Sequence, residues 1–365
     1  MLEVVGCSRT PENPYTGQPR TSDNPREPAM HAIRLHAFGP AENLLYERTE
    51  DPVPVPGQVR IAVAAAGVHL LDTALREGMQ GPYPTTAELP TIPGREVAGT
   101  VESLGAGVDA GWLGKRVVAH LGLVPGGYAE LAVTDTARLH EIPAGLDEAE
   151  AVAMIGTGRT TMGILQFTDL GPADIVLVPA AAGGIGTLLV QYAKNAGATV
   201  IGLAGGAAKV TRVAANGADL AVDYTLSDWP EQVRDHLRDQ LGGRRATVVF
   251  DSVGGATGLA AVGLLGKGGK HIVFGWSGEG LHDGKPLTFT DEELAERGIT
   301  SESVLGPVMI AKAGGDVRAL EERSLAEAAA GRLRPAVQRF PLANAAWAHR
   351  ALETRGTMGK VVLEP

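Results

Sequence analysis

Cysteine is almost absent from this 365-residue chain, with Cys7 the only one. An intramolecular disulfide is therefore excluded, as is a zinc site of four cysteines or of two cysteines and two histidines. Basic charge is also short: 32 Lys and Arg face 42 Asp and Glu, a net −10 at pH 7. A surface of that sign is repelled by nucleic acid and by anionic membranes, so neither is expected as a partner, although a local basic pocket stays open. No run of about 18 uncharged apolar residues occurs, and the start MLEVVGCSRT lacks both the basic opening and the sustained apolar core of a secretion signal. These absences lead us to expect a cytoplasmic protein.

Glycine, by contrast, is abundant at 49 residues, and 44% of the chain is hydrophobic. That pairing suits many tight turns between buried strands. The length suits two domains. Residues 1–29 are polar and broken by Pro11, Pro14, Pro19, Pro25 and Pro28, which predicts a flexible tail holding Cys7. Residues 30–150 carry short alternating segments between Gly and Pro, such as HAIRLHAF, PGQVRIAVAAAGV, IPGREVAGTVESLGAGV and GGYAELAVT. They read as a partly antiparallel β domain. From 151 to 306 strand and helix alternate, in DIVLVP, GIGTLLVQYAKNAGA, TVIGLAG, AAKVTRVAANGA, LAVDY, EQVRDHLRDQL, ATVVFDSVGG, a helix through LLGKGG, and HIVFG. This grammar predicts a doubly wound parallel sheet. Residues 307–365 look like a return to the first domain, and no internal repeat is found.

The strongest chemical signal is LVPAAAGGIGTLLVQYAKNAGATVIGLAG. A strand runs into Ala180, Gly183 and Gly186 at the spacing A-x-x-G-x-x-G, and a helix follows. Small residues there let backbone approach a pyrophosphate, which the unpaired N–H groups of the helix start can hold. A tight strand-to-helix turn is the plainer reading of the glycines alone; the second strand arriving on time favours a dinucleotide. NAD enzymes place a carboxylate at the end of that second strand for the ribose 2′-hydroxyl. This chain has Gly205 and Gly206 there, with Lys209 just beyond and Tyr224 ending GADLAVDY. The missing carboxylate and the added cation favour the 2′-phosphate of NADPH.

From Met30 onward the chain resembles the zinc-independent medium-chain dehydrogenase/reductases, in the NADPH:quinone oxidoreductase branch. The resemblance is carried by PGQVRIAVAAAGVHLLDTALREG, LPTIPGREVAGTVESLGAGV, GKRVVAH, GGYAELAV, the glycine motif, GADLAVDY, VVFDSVGG, GGKHIVFG and MGKVVLEP. It implies an α/β protein: a GroES-like domain in two parts, 30–150 and 307–365, interrupted by a Rossmann domain, with the active site between them. It further implies that Gly183, Gly184, Ile185 and Gly186 meet the pyrophosphate, that Lys209 and Tyr224 meet the 2′-phosphate, and that Thr160 lies beside the nicotinamide. Ser252, Gly254, Phe274, Gly275 and Lys360 match further positions that touch cofactor in the family. A homodimer joined edge to edge through ITSESVL is also implied.

Zinc members of the wider family carry a ligand cysteine where this chain has His69 and a ligand histidine where it has Arg95. A guanidinium stays protonated and cannot bind a metal, so no metal is expected; Glu96 is read as a buried partner either for Arg95 or for a backbone group. Without a Lewis acid, the fitting acceptor is one that spreads charge itself, a quinone or related conjugated carbonyl. His69 replaces the asparagine common in quinone reductases and, with Tyr83 nearby, is the candidate donor to the reduced oxygen; a backbone-capping histidine is the alternative. A 2-alkenal or enoyl-thioester reductase, the latter needing a basic patch at the cleft mouth that Arg159 or Arg76 does not decide from sequence, and a cofactor-binding protein without turnover are the competing readings.

Overall fold

The structure, a computed structural model, describes residues 30–79, 88–122, 125–279 and 284–365. The expected tail, with Cys7, lies outside these residues. Ile175–Val178 reads IVLV and is buried at every position, as a strand covered on both faces must be. It sits third in a six-stranded parallel sheet ordered Leu220–Asp223, Thr199–Ala204, Ile175–Val178, Ala246–Asp251, Leu265–Val273, Thr300–Ser303. Chain order reverses between Ile175–Val178 and Ala246–Asp251, so a crevice opens at the carboxyl ends of those two strands. Helix Gly184–Asn195 starts at that crevice with Gly183 as its N-cap.

The second body is a seven-stranded sheet whose long central strands, Gln58–Val68 and Glu96–Leu104, pair antiparallel. The last strand, Lys360–Glu364, joins it antiparallel to Gln58–Val68 and parallel to Val337–Pro341. The C-terminal segment thus completes the sheet begun near the N-terminus. The same strand leaves a link to the nucleotide side: Gly359 N donates to Ala182 O at 2.8 Å, beside a bridge between Gly183 and Gly359.

One sequence expectation needs correction. The segment LLGKGG is not helical: helix Gly255–Val262 stops at Gly263, and Leu265–Val273 is a strand with a register break between Ala246 and Val248 of its neighbour. Gly268, at φ 81°, and Gly269 disfavour continued helix, while the β-bulge absorbs them. Among the described residues no helix is long and apolar enough to cross a membrane.

Candidate active site

A cleft of about 380 Å³ lies between the two sheets. Its floor is the turn after Ile175–Val178, with Ala180, Gly183 and Gly184 exposed to it. Ala180 adopts φ 52°, a left-handed conformation rare for a residue with a side chain, which fits a turn shaped to hold something. Gly186 is packed rather than open: an added Cβ would fall 2.4 Å from Ala180 O and 2.7 Å from Ala181 Cα. It serves the close approach of helix to strand.

At the outer end Gly205, Lys209 and Tyr224 line the cleft. Arg355 lines it too, and this residue went unread. Lys209 Nζ donates to Arg355 O at 2.6 Å. The Arg355 guanidinium donates to Ser277 O at 3.2 Å and also to Gly278 O. Burial lowers the pKa of Lys209, and the charge of Arg355 lowers it further. Two cations gathered at one end of a cleft on an acidic protein mark a site for an anion. The only local signal for Arg355 is a basic residue before the glycines of the closing strand; the return of the chain brings it into place.

On the inner side, behind Leu70 and Gly359, which line the cleft, lies a cluster of charged residues that do not themselves line it. His69 is the N-cap of helix Leu70–Arg76, and its backbone N donates to Asp72 Oδ2 at 2.8 Å. Its Nε2 lies 2.9 Å from Glu96 Oε1 and its Nδ1 3.7 Å from Asp72 Oδ2. Glu96 does not pair with Arg95; its Oε2 is 2.8 Å from Lys360 Nζ. Arg95 instead donates to Asp72 Oδ1 at 2.9 Å. Neighbouring residues of an extended strand face opposite ways, which is why Glu96 and Arg95 part company. The Glu96 contacts are close charge contacts and not aligned hydrogen bonds. Lys360 is 4% and Glu96 0% exposed, so the ammonium of Lys360 is buried against a carboxylate and not offered to the cleft lined by Gly359.

Room for Glu96 comes from a π-helical turn, Met154–Gly158, where a Cβ on Gly156 would lie 1.5 Å from Glu96 Oε1. Ser324 Oγ donates to Met154 O at 2.7 Å and so satisfies a carbonyl of that turn. Tyr128 OH donates to Asp72 Oδ2 at 3.0 Å and lies 3.3 Å from His349 Nε2. Burial is the strongest single influence on His69 and works against its charge, but Glu96 and Asp72 together outweigh it and the pKa is raised. Burial likewise opposes charge on Glu96 and Asp72; contact with His69, with Lys360 for Glu96 and Arg95 for Asp72, holds both well below the ordinary carboxylate range. His120, paired across the sheet with Glu96, is pushed down to about 3 by burial and then by the charge of Arg159.

The other sequence candidates are dispersed around this frame. Ser252 O accepts from Ser277 N at 3.0 Å, Phe274 N donates to Asp251 O, and Gly254 and Gly275 pack tightly, so they shape the loop whose Val253, Ser277 and Gly278 face the cleft. Ile185 is partly buried, and Thr160 is half-buried at the start of Arg159–Leu165. Tyr83 lies outside the described residues. Arg76 is 2% exposed and bonded to Gly39 O, Glu77 and Glu353, which leaves it no role in binding a phosphate.

A GroES-like antiparallel sheet and a Rossmann sheet with a cleft between them define a medium-chain dehydrogenase/reductase. Residues 55–144 match the alcohol dehydrogenase GroES-like domain, and residues 184–311 match the zinc-binding dehydrogenase family. The chain is 32% identical over 341 residues to a 2-haloacrylate reductase of a Burkholderia species, covering 92% of this chain and 98% of that protein. It is 32% identical to a quinone oxidoreductase of Pseudomonas aeruginosa, covering 91% and 99%. A mycobacterial protein solved in complex with NADPH superposes with a TM-score of 0.77 at 31% identity, covering 92% of this chain and all of the other. The chain belongs to the quinone oxidoreductase family of the medium-chain dehydrogenases/reductases and is an oxidoreductase.

Proposed function

We propose that this protein is an NADPH-dependent, zinc-independent reductase acting on a quinone or a related conjugated carbonyl compound. The observation that carries the reading is the pairing of Lys209 with Arg355 at the end of a cleft whose floor is bare backbone. Ala180, Gly183 and Gly184 fit a pyrophosphate, Lys209, Arg355 and Tyr224 a 2′-phosphate, and Thr160 the nicotinamide end. NADPH, when bound, supplies a hydride. The chain's residues hold it in the cleft, keep water from the inner end and donate to the oxygen that gains charge. His69 is the donor, since its imidazole is the titratable group of the buried cluster with 28% of its side chain accessible.

Zinc finds no seat among these residues. Asp72 and Glu96, the carboxylates beside His69, are each engaged by a cation, Arg95 and Lys360, and neither cation can act as a ligand while protonated. Similarity to a 2-haloacrylate reductase favours an activated carbon–carbon double bond as a second acceptor class. The enoyl-thioester reading loses the support of Arg76. We further place the catalytic domain at 30–150 with 307–365 and the nucleotide domain at 151–306, and propose a homodimer through the edge strand Thr300–Ser303.

The test is NADPH consumption in chelator with a benzoquinone, an alkenal, a haloacrylate, an enoyl thioester and a simple aldehyde, with NADH as control. Turnover of a quinone or activated alkene with preference for NADPH supports the proposal. NADPH binding without turnover of any of them would reduce the protein to a cofactor binder.

A further inference from the structure

The inner cluster forms a line of alternating charge: Lys360, Glu96, His69, Asp72, Arg95. Each step is a charge contact, of 2.8 Å, 2.9 Å, 3.7 Å and 2.9 Å in that order. The imidazole stands at the centre, and the two carboxylates flanking it are each held by a permanent cation on the far side. With a neutral ring the five groups sum to zero; with a protonated ring they sum to +1. Without the outer cations, two buried carboxylates would repel each other and one would take up a proton. With them, both carboxylates stay ionised and the proton rests on the ring.

The geometry protects this arrangement. Gly67 and Gly156 leave space for the Glu96 carboxylate, since an added Cβ would come within 2.3 Å of Oε2 and 1.5 Å of Oε1 respectively. His69 Nδ1 is sealed from solvent without a hydrogen-bond partner, and Nε2 is the nitrogen beside Glu96. Tyr128 adds a hydrogen bond to Asp72 from behind. The remaining titratable neighbour, His120, stays neutral: its Nδ1 accepts from Gly122 N at 3.0 Å, and its charge is suppressed by burial and by Arg159.

We propose that Glu96 and Lys360 are positioning residues that together set the proton on His69, Glu96 holding it on the ring and Lys360 limiting how tightly it is held. The proposal rests on the reading of His69 as the donor to reduced substrate. In that step a substrate carbon would take the hydride that bound NADPH supplies, the cofactor being the group oxidised. The substrate gains the two electrons, and the N–H bond of His69 breaks as its proton passes to the substrate oxygen; solvent then reprotonates the ring.

The opposed roles give opposed signs. Glu96→Gln removes the nearer negative charge and should lower the His69 pKa by about one unit or more, while Lys360→Met removes a positive charge and should raise it by a smaller amount. The ring is followed by NMR titration of the cofactor-free protein, its signal among nine histidines assigned by loss in His69→Gln. Lys360→Arg keeps the charge and should return the titration close to wild type, which separates charge from folding if Lys360→Met is poorly stable. Shifts of opposite sign support the proposal; no shift, or shifts of the same sign, overturn it. The pH limb of kcat in the same variants then addresses the donor role separately. A limb that follows the NMR shift supports both readings, and a limb that stays put while the ring titration moves leaves the positioning intact and removes His69 as the proton donor.

Discussion

The outer end of the cleft and the buried cluster on its inner side are built on different principles. The outer end, Gly205, Lys209, Tyr224 and Arg355, is accessible, relies on backbone and on long flexible cations, and among the described residues has no buried carboxylate partner for either cation. The inner cluster, His69, Asp72, Arg95, Glu96 and Lys360, is nearly sealed, and each carboxylate in it lies between His69 and a cation. An accessible end with unmatched cations is arranged to take up an anionic ligand. A sealed cluster whose carboxylates are flanked in this way is arranged to hold a proton in one place, because in a low-dielectric site any unmatched charge is costly.

Sharp differences in tolerance follow. Gly156→Val should cost about 3–5 kcal/mol of stability, because it drives a side chain into the Glu96 carboxylate and breaks a buried ion pair. Gly205→Ala, whose added Cβ meets only ordinary contacts at 3.4 Å, should change stability by less than about 0.5 kcal/mol. Denaturant unfolding of the two variants checks the contrast. Equal losses would show that the inner cluster is no more constrained than the outer end.

Acid should also act through the inner side. His120 and His349 are held down to about 3 and about 4, chiefly by burial, so they are neutral in the fold and charged more readily when unfolded. Their contribution is fully present above the unfolded pKa near 6.5 and is lost as pH falls, by about 2 kcal/mol each at pH 5. His69, with its raised pKa, has the opposite slope: its contribution is present below about 6.5 and is lost as pH rises through its folded value. Two groups outweigh one, so the midpoint of thermal unfolding should fall between pH 7 and pH 5. A flat profile would deny the buried neutral histidines.

At the outer end the effects are on binding. Lys209→Ala and Arg355→Ala should each weaken NADPH by about 10- to 100-fold, the worth of a charge-assisted hydrogen bond of about 1.5–3 kcal/mol, and should leave NADH nearly unchanged. Calorimetric titration with both cofactors decides it, and equal losses for both would place the two cations away from the 2′-phosphate. The smallest effect is ionic: raising salt should weaken NADPH severalfold more than NADH, because exposed cations are screened over a Debye length of about 8 Å at physiological ionic strength.

The same contrast explains what could be read from the chain. The parallel sheet, the A-x-x-G-x-x-G turn and Lys209 were legible because strand, turn and helix follow one another within about thirty residues and obey local rules. The inner line was not, because its members come from helix Leu70–Arg76 and its cap, the start of strand Glu96–Leu104 and the last strand, and nothing local says which cation meets which carboxylate. Hence adjacency alone offers Arg95 or a backbone group as the partner of Glu96, and family resemblance alone puts Lys360 at the cofactor. Arg355 escaped for the same reason: it reaches the cleft only because the C-terminal strand returns to Gly183.

The most direct test of the whole account is a single turnover with NADPH carrying deuterium at the nicotinamide C4 position and an activated alkene conjugated to a carbonyl, in ordinary water with chelator. We expect one deuterium bonded to carbon in the reduced product, a second hydrogen drawn from solvent, and a rate indifferent to the chelator. A product whose carbon-bound hydrogens all come from solvent, or a reaction abolished by chelation, would contradict the metal-free hydride transfer assigned to this cleft.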